Sequence, residues 1–361
     1  MPDLSAFSPD YWTAREKFRA AARAAGAALT DHVNPAAPPP GHDAKLTTDV
    51  AVLGPGDAGL VLLVNAGTHG VEAFAGSAIE IAFLASRPAL PDDTRLVLVH
   101  AINPHGFAWL RRVTEDNVDL NRNFLDHGGP HPANEAYGKI HKLLCPERWD
   151  EPTLAEMGRT IDAYIEKHGA FALQAVVTRG QYDHADGLFY GGRRPVWSNA
   201  TFRAILDAHV AGARRVAFID LHTGLGGYGD AELIGGAGPS TPGGRRMRDW
   251  YGDIVTSPAS GTSSSAPLTG VIARAVREAA DGAEVISGTL EFGTYPVREV
   301  LHALQADNWL HVHGEVDSPL GRVIKADIRK RLFPDEDSWK ERVLDQGLRI
   351  LDRTLEGLGG G

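Results

Sequence analysis

Leu60-Val-Leu-Leu-Val64 contains no charge, no glycine and no proline, and it runs directly into Asn65-Ala-Gly-Thr-His-Gly-Val-Glu72. A short, β-branched run of this kind fits a strand buried on both faces of a parallel sheet. The run stops at Ala66-Gly67, His69 and Glu72 follow three positions apart, and Ala73 to Leu84 reads as a helix. Open α/β sheets collect ligands in the crevice at the carboxyl ends of their strands. An imidazole and a carboxylate delivered there make half of a metal site, and the rest of the chain must supply the other half.

Further along, strand and helix patterns alternate. Pro9 to Ala28 has apolar residues at helical spacing, and Asn34-Pro-Ala-Ala-Pro-Pro-Pro-Gly41 is a stiff connector. Thr47 to Leu53 reads as a strand that turns at Gly54-Pro55-Gly56-Asp57 to form a hairpin with the Leu60 strand. Arg95 to Ile102 is a second buried-type strand, ending in a turn at Asn103-Pro104-His105-Gly106. Helices are expected over 134–144 and 152–167, a strand over Phe171–Val177, and a long glycine-rich loop from Arg179 to Gly192. Such loops in compact domains are often functional, so Gln181, Tyr182 and His184 are candidate pocket residues. After a helix over 197–211, Arg215 to Leu221 is a strand ending in His222-Thr223-Gly224. Ala231–Ile234 and Ala283–Leu290 are strand-like, with helices near 245–251 and 268–279, and three helical patterns (297–311, 321–331 and 339–355) close the chain. The sum is an α/β fold: a single domain over 1–361 with a mixed, mainly parallel central sheet flanked by helices on both faces. The N-terminal helix (9–28) precedes a motif-bearing core over about 47–296, and C-terminal helices occupy 297–357.

Hydrophobic content of 43% and charged content of 23% are ordinary for a soluble globular protein. The net charge of −10 has no long single-sign run, which argues against a nucleic-acid or anionic-membrane partner. Cys145 is the only cysteine, so no disulfide framework is expected. No apolar run is long enough for a signal peptide core or a membrane span, and a cytoplasmic location is the expectation. Homo-oligomerisation stays open.

Three strands end in reactive side chains: His69 with Glu72, then His222, then Glu291. Each has an ordinary structural explanation: Glu72 facing a helix N-terminus, His222 a packing residue, Glu291 a charge at the sheet rim. Their joint occurrence outweighs these, because two histidines and a glutamate make a three-ligand zinc site with an open position, and a second glutamate can act as base. A fourth constellation, Val118-Asp-Leu-Asn-Arg-Asn-Phe124 with Arg111 and Arg112 before it, can fix a carboxylate and polarise a carbonyl, although acidic neighbours also make it read as a solvated loop of salt bridges. Gly224-Leu-Gly-Gly-Tyr-Gly229 matches a dinucleotide fingerprint but does not open a helix, and no Gly-x-Ser-x-Gly is present. Cys145 reads as structural.

In this order, His-x-x-Glu, Asn-Pro-x-Gly, Val-Asp-Leu-Asn-Arg-Asn-Phe, strand–His-Thr-Gly and Thr-x-Glu resemble the zinc carboxypeptidase (M14-type) superfamily over residues 65–296. The Glu-Phe-Gly-Thr-Tyr-Pro ending is most similar to a bacterial M14-like branch (DUF2817), with aspartoacylase- and succinylglutamate-desuccinylase-like deacylases more distant. The resemblance implies one Zn2+ per chain held by His69, Glu72 and His222. It implies Glu291 as general base, Asn121 and Arg122 as the grip on a substrate carboxylate, and Arg112 as carbonyl polariser with Arg111 as its rival. No residue matches the family's mobile tyrosine clearly; Tyr295, Tyr251 and Tyr182 are the candidates. The implied activity is hydrolysis of an amide next to a free carboxylate, in a peptide or an N-acyl amino acid. The competing class is a catalytically silent binding protein on the same scaffold.

Overall fold

Eight strands form one sheet in the computed structural model, which describes residues 3–236 and 238–360. The strands are β1 (Ala28–Val33), β2 (Thr47–Leu53), β3 (Leu60–Ala66), β4 (Thr94–His100), β5 (Arg215–Gly224), β6 (Ala231–Gly235), β7 (Val255–Thr256) and β8 (Glu284–Gly293), in the order β1-β2-β4-β3-β5-β8-β6-β7. The central four, β4-β3-β5-β8, are parallel, while β1, β2 and β6 pair antiparallel at the flanks. This is the mixed, mainly parallel α/β architecture the sequence predicts.

The period of two explains how one strand serves two cores. Leu62 and Val64 of β3 join Leu96 and Leu98 of β4 and Ile219 of β5 on one face, beneath helices Tyr11–Ala24, Ala73–Ser86 and Asp337–Gly359. Val61 and Leu63 point the other way and meet Val97, Val99, Val216 and Phe218, covered by helices Trp197–His209 and Ala273–Ala279. Helix Ala73–Ser86 is apolar almost all round and nearly all buried, as a helix at the centre of a layered core must be.

Four expectations are corrected. β2 does not form a hairpin with β3; it pairs with β1 and β4, because β4 inserts between β2 and β3. The N-terminal helix ends at Ala24, and Ala28–Val33 becomes the edge strand β1. Phe171–Val177 lies within a helix, Ala170–Thr178, packed on helix Glu151–His168; a short apolar run cannot by itself distinguish buried strand from buried helix. The helix expected over 268–279 begins only at Ala273. Among the described residues, no helix is long and apolar enough to cross a membrane.

Candidate metal centre and the cavity above it

The parallel register places the reactive side chains. His222 and Glu291 are direct neighbours on β5 and β8, and Asn65 of β3 stands beside Asp220 of β5. Past the end of β3 the chain turns at Gly67 with φ +81°, a left-handed conformation suited to glycine, and delivers His69 and Glu72 over the same strand ends. Gly70 then packs against the backbone of Gly106: a Cβ on Gly70 would stand 2.0 Å from the Gly106 carbonyl carbon. This is the physical role of Asn-Pro-x-Gly, which is a short helix, Pro104–Ala108, rather than a plain turn. Asn103 caps it by accepting from Gly106 N at 2.9 Å.

His69, Glu72 and His222 converge, and all three are buried. His69 Nδ1 lies 3.0 Å from Glu72 Oε1 and 3.1 Å from His222 Nδ1, which in turn lies 3.1 Å from Glu72 Oε2. Both opposite ring nitrogens face carboxylates: His69 Nε2 lies 3.1 Å from Asp119 Oδ1, and His222 Nε2 lies 2.6 Å from Asp220 Oδ2. Carboxylates at Nε2 favour the Nε2–H tautomer, so two Nδ1 lone pairs and an anionic carboxylate are aimed at one point. That arrangement repels itself unless a proton or a metal cation lies between them. Nitrogen ligands at about 2.0–2.1 Å from a tetrahedral zinc stand about 3.3 Å apart, close to the spacing found here. The donor set fits a divalent ion of the zinc type.

Asp220 and Asp119 are the functional residues the motif reading did not assign. Asp220 shares a face with His222 by strand alternation, and that period was the available signal. Its other oxygen accepts from Asn65 Nδ2 at 2.7 Å and Thr68 Oγ1 at 2.8 Å, fixing the carboxylate. Asp119 also accepts from Arg112 Nε at 3.0 Å and caps the turn Leu120–Arg122 through Asn121 N at 3.0 Å. The segment from Arg111 to Asn123 is thus a buried network and not a solvated loop.

Electrostatics follow the geometry. Burial would raise the Glu72 carboxyl, but His69, the hydrogen bonds from His222 and His69, and Arg112 hold it far below the ordinary range. Burial likewise opposes ionisation of Asp119, and Arg112, Arg122 and His69 outweigh it. His222 is raised well above a free histidine, because Asp220 and Glu72 overcome the cost of burial. Glu291 goes the other way. Burial, then the Glu72 charge, push its carboxyl up to about 7, and its one protein hydrogen bond is from Leu225 N at 3.0 Å among the described residues.

The two arginines part company. Arg112 lines the cavity, donates from Nη1 to Glu72 Oε1 at 2.9 Å and from Nε to Asp119, and has no protein partner for Nη2 among the described residues. Arg111, its rival for carbonyl polarisation, faces away: it donates to Asp307 Oδ2 at 3.3 Å and Asn117 Oδ1 at 2.9 Å and does not line the cavity. Arg122 does line the cavity, with its guanidinium anchored on Thr178 O at 2.8 Å and Asn121 O at 2.8 Å. Asn121 lines it too, with Oδ1 accepting from Ile272 N at 2.9 Å and Nδ2 unpaired within the described residues. None of the three tyrosines lines it. Tyr295 sits outside, against Tyr228, Arg331 and Glu336; Tyr251 bonds Thr354 in the core; Tyr182 donates to Arg122 O at 2.7 Å as a brace. Gln181 and His184 also lie outside, Gln181 holding its own loop and His184 stacked on His141. Gly224–Gly229 leads into β6 and opens no helix.

Above this floor is a cavity of about 490 Å³, within the range of small-molecule sites. Its floor is His69, Glu72, Arg112, His222 and Glu291, with Asn121 and Arg122 at one side.

A family model described as "Protein of unknown function (DUF2817)" matches residues 7–346. No curated protein matches the sequence. Among solved structures, the succinylglutamate desuccinylase of Chromobacterium violaceum is similar at 15% identity and a TM-score of 0.39, over 91% of this chain and 76% of that one. The carboxypeptidase A of Helicoverpa armigera is similar at 14% identity and a TM-score of 0.43, over 94% of this chain and 73% of that one. At such values the activity has to be read from the site itself.

Proposed function

The chain belongs to the DUF2817 family, and we propose from its site that it is a zinc-dependent hydrolase cleaving an amide bond next to a free carboxylate, as a carboxypeptidase does. The observation that carries this reading is the pairing of an electron-rich His69–Glu72–His222 pocket with a separate carboxyl, Glu291, beside it on the next strand. One zinc ion, held by His69, Glu72 and His222, would lower the pKa of water toward neutrality and polarise a carbonyl. Glu291, balanced near neutrality, accepts a proton from the attacking water at its carboxylate and returns it to the departing amine. Arg112 offers its free Nη2 to the carbonyl oxygen as negative charge develops there. Asn121 Nδ2 and the Arg122 guanidinium hold the substrate carboxylate, which orients the amide over Glu291. Asp119 and Asp220 fix the tautomers of the two histidines. An N-acyl-amino-acid deacylase would use the same groups in the same roles.

The test is Glu291→Gln assayed on peptides and N-acyl amino acids. We expect the variant to keep one equivalent of zinc and to lose about 10²–10⁴-fold in hydrolysis. Wild-type turnover in that variant would sink the assignment, and equal turnover of wild type with and without chelator would sink the metal dependence.

A further inference from the structure

The cavity floor is polar, but its walls are not. Leu173 and Val177 come from helix Ala170–Thr178, Leu268 and Val271 from the segment before Ala273, and Leu301 and Leu304 from helix Val297–His313. The same segments carry apolar side chains out to solvent, with Phe171 56% and Val297 44% exposed. Apolar surface therefore continues from the floor to the outside.

Several polar groups on these walls already have partners, while Gln174 Oε1, Ser257 Oγ and Thr289 Oγ1 make no protein hydrogen bond among the described residues. Gln174 Nε2 donates to Ser264 O at 2.8 Å, Thr178 Oγ1 to Gln174 O at 2.9 Å, and Ser265 Oγ to Ala266 O at 3.1 Å. Thr223 Oγ1 is bonded to Leu332 O. Arg298 is the charged lining residue away from the floor and its sides, and it is paired with Asp162. A peptide threaded along these walls would bring a row of backbone N–H and C=O groups that lose water and meet only these few scattered partners. A hydrocarbon chain has no such groups and gains from leaving water.

We propose that the site takes an amide bearing one extended apolar chain, a fatty-acyl amide in chemical class, with the amide on the polar floor and the chain along the walls toward Phe171 and Val297. The assignment rests on the hydrolase reading above and narrows its substrate.

Straight-chain hydroxamates test it, because they offer one head group with a chain of chosen length. Titration of the zinc-loaded protein with aceto-, hexano- and decanohydroxamate is expected to show affinity rising with each methylene, by up to about fourfold where the methylene is fully buried. Across the series the gain should exceed about 30-fold. Leu268→Asn and Leu301→Asn, both half-buried wall positions, should flatten that rise without changing acetohydroxamate affinity. A series with no chain-length dependence overturns the proposal, as does a rise left intact in both variants. Failure of the underlying reading looks different: zinc is then absent by metal analysis. Titration of the metal-free protein with the same series still decides the matter, a wall-dependent rise supporting the apolar chain and a flat series removing it.

Discussion

Among the described residues, two groups of two histidines and one carboxylate bring their ligand atoms together, and only one of the two is built like a metal centre. His69, Glu72 and His222 are buried, their rings stand at 75° to one another, and each imidazole has a carboxylate behind it. His141, His184 and Asp186 lie toward the surface, with the Asp186 side chain 55% exposed. Their rings are stacked at 3.9 Å and 16°, and His141 Nδ1 has no partner among the described residues. An imidazole lone pair lies in the ring plane, so two stacked, nearly parallel rings cannot both aim at one ion. Proximity of the right residue types is therefore a weak criterion. Orientation, enforced by a second layer of carboxylates, separates a centre from a coincidence.

The largest effect should come from removing one member of each group. His222→Ala should lose the zinc and bring hydrolysis to background, whereas His184→Ala should keep both, as metal analysis and a substrate assay would read. Loss of zinc in His184→Ala would break the contrast. Next in size is Asp220→Asn, which keeps all three ligands but weakens the hold on His222 Nε2. Its zinc affinity should fall by about 10–100-fold in a chelator competition, and an unchanged affinity would deny the second layer its role.

A buried histidine without a carboxylate partner sharpens the same point through stability. His100 has the Ser77 hydroxyl, at 2.9 Å, as its one side-chain hydrogen-bond partner among the described residues, and burial, opposed by Asp49 and reinforced by Arg15, pushes it down to about 4. Between pH 6.5 and about 4 the unfolded chain binds a proton that native His100 refuses, so its contribution is present above 6.5 and is lost as pH falls. His105 and His311, both pushed down to about 3 by burial and then by Arg111 and Lys325, act in the same direction. Tm should drop steeply below pH 6.5, and His100→Gln should recover part of the drop, up to about 3 kcal/mol. A Tm profile as steep in that variant would remove His100 from the account.

The smallest effect concerns Glu80, fully buried with both carboxyl oxygens unpaired among the described residues. Burial raises it well above the usual carboxyl range, so stability is present below about pH 4.5 and declines as pH rises. Glu80→Met should stabilise the protein at neutral pH by about 1–3 kcal/mol in denaturant titrations. A destabilised variant would mean that the carboxyl has a partner.

Much of this was legible before folding. Apolar, β-branched stretches beginning at Leu60, Leu96, Val216 and Val285 read as interior strands, and three of them run into His69 with Glu72, His222 and Glu291. The alternation of strand and helix then fixes where those ends lie, because right-handed crossovers place parallel strand ends along one edge. Periodicity stops at the last regular residue, and so did the reading. It could not rank Arg111 against Arg112, which are covalent neighbours in irregular backbone. Asn117, at φ +59°, and the contact of Gly70 with Gly106 set the path of that loop, and with it which guanidinium faces Glu72.

Tertiary structure also decided that Asp119 and Asp220 serve the histidines, that Phe171–Val177 is a helix, and that apolar walls rise over a polar floor. Most of this depends on contacts between segments far apart in the chain, up to 155 residues for Asn65 and Asp220. By itself the sequence determined which residues could bind an ion, since chemistry belongs to side chains. Where those side chains point is a property of packing, and only the folded chain fixes it.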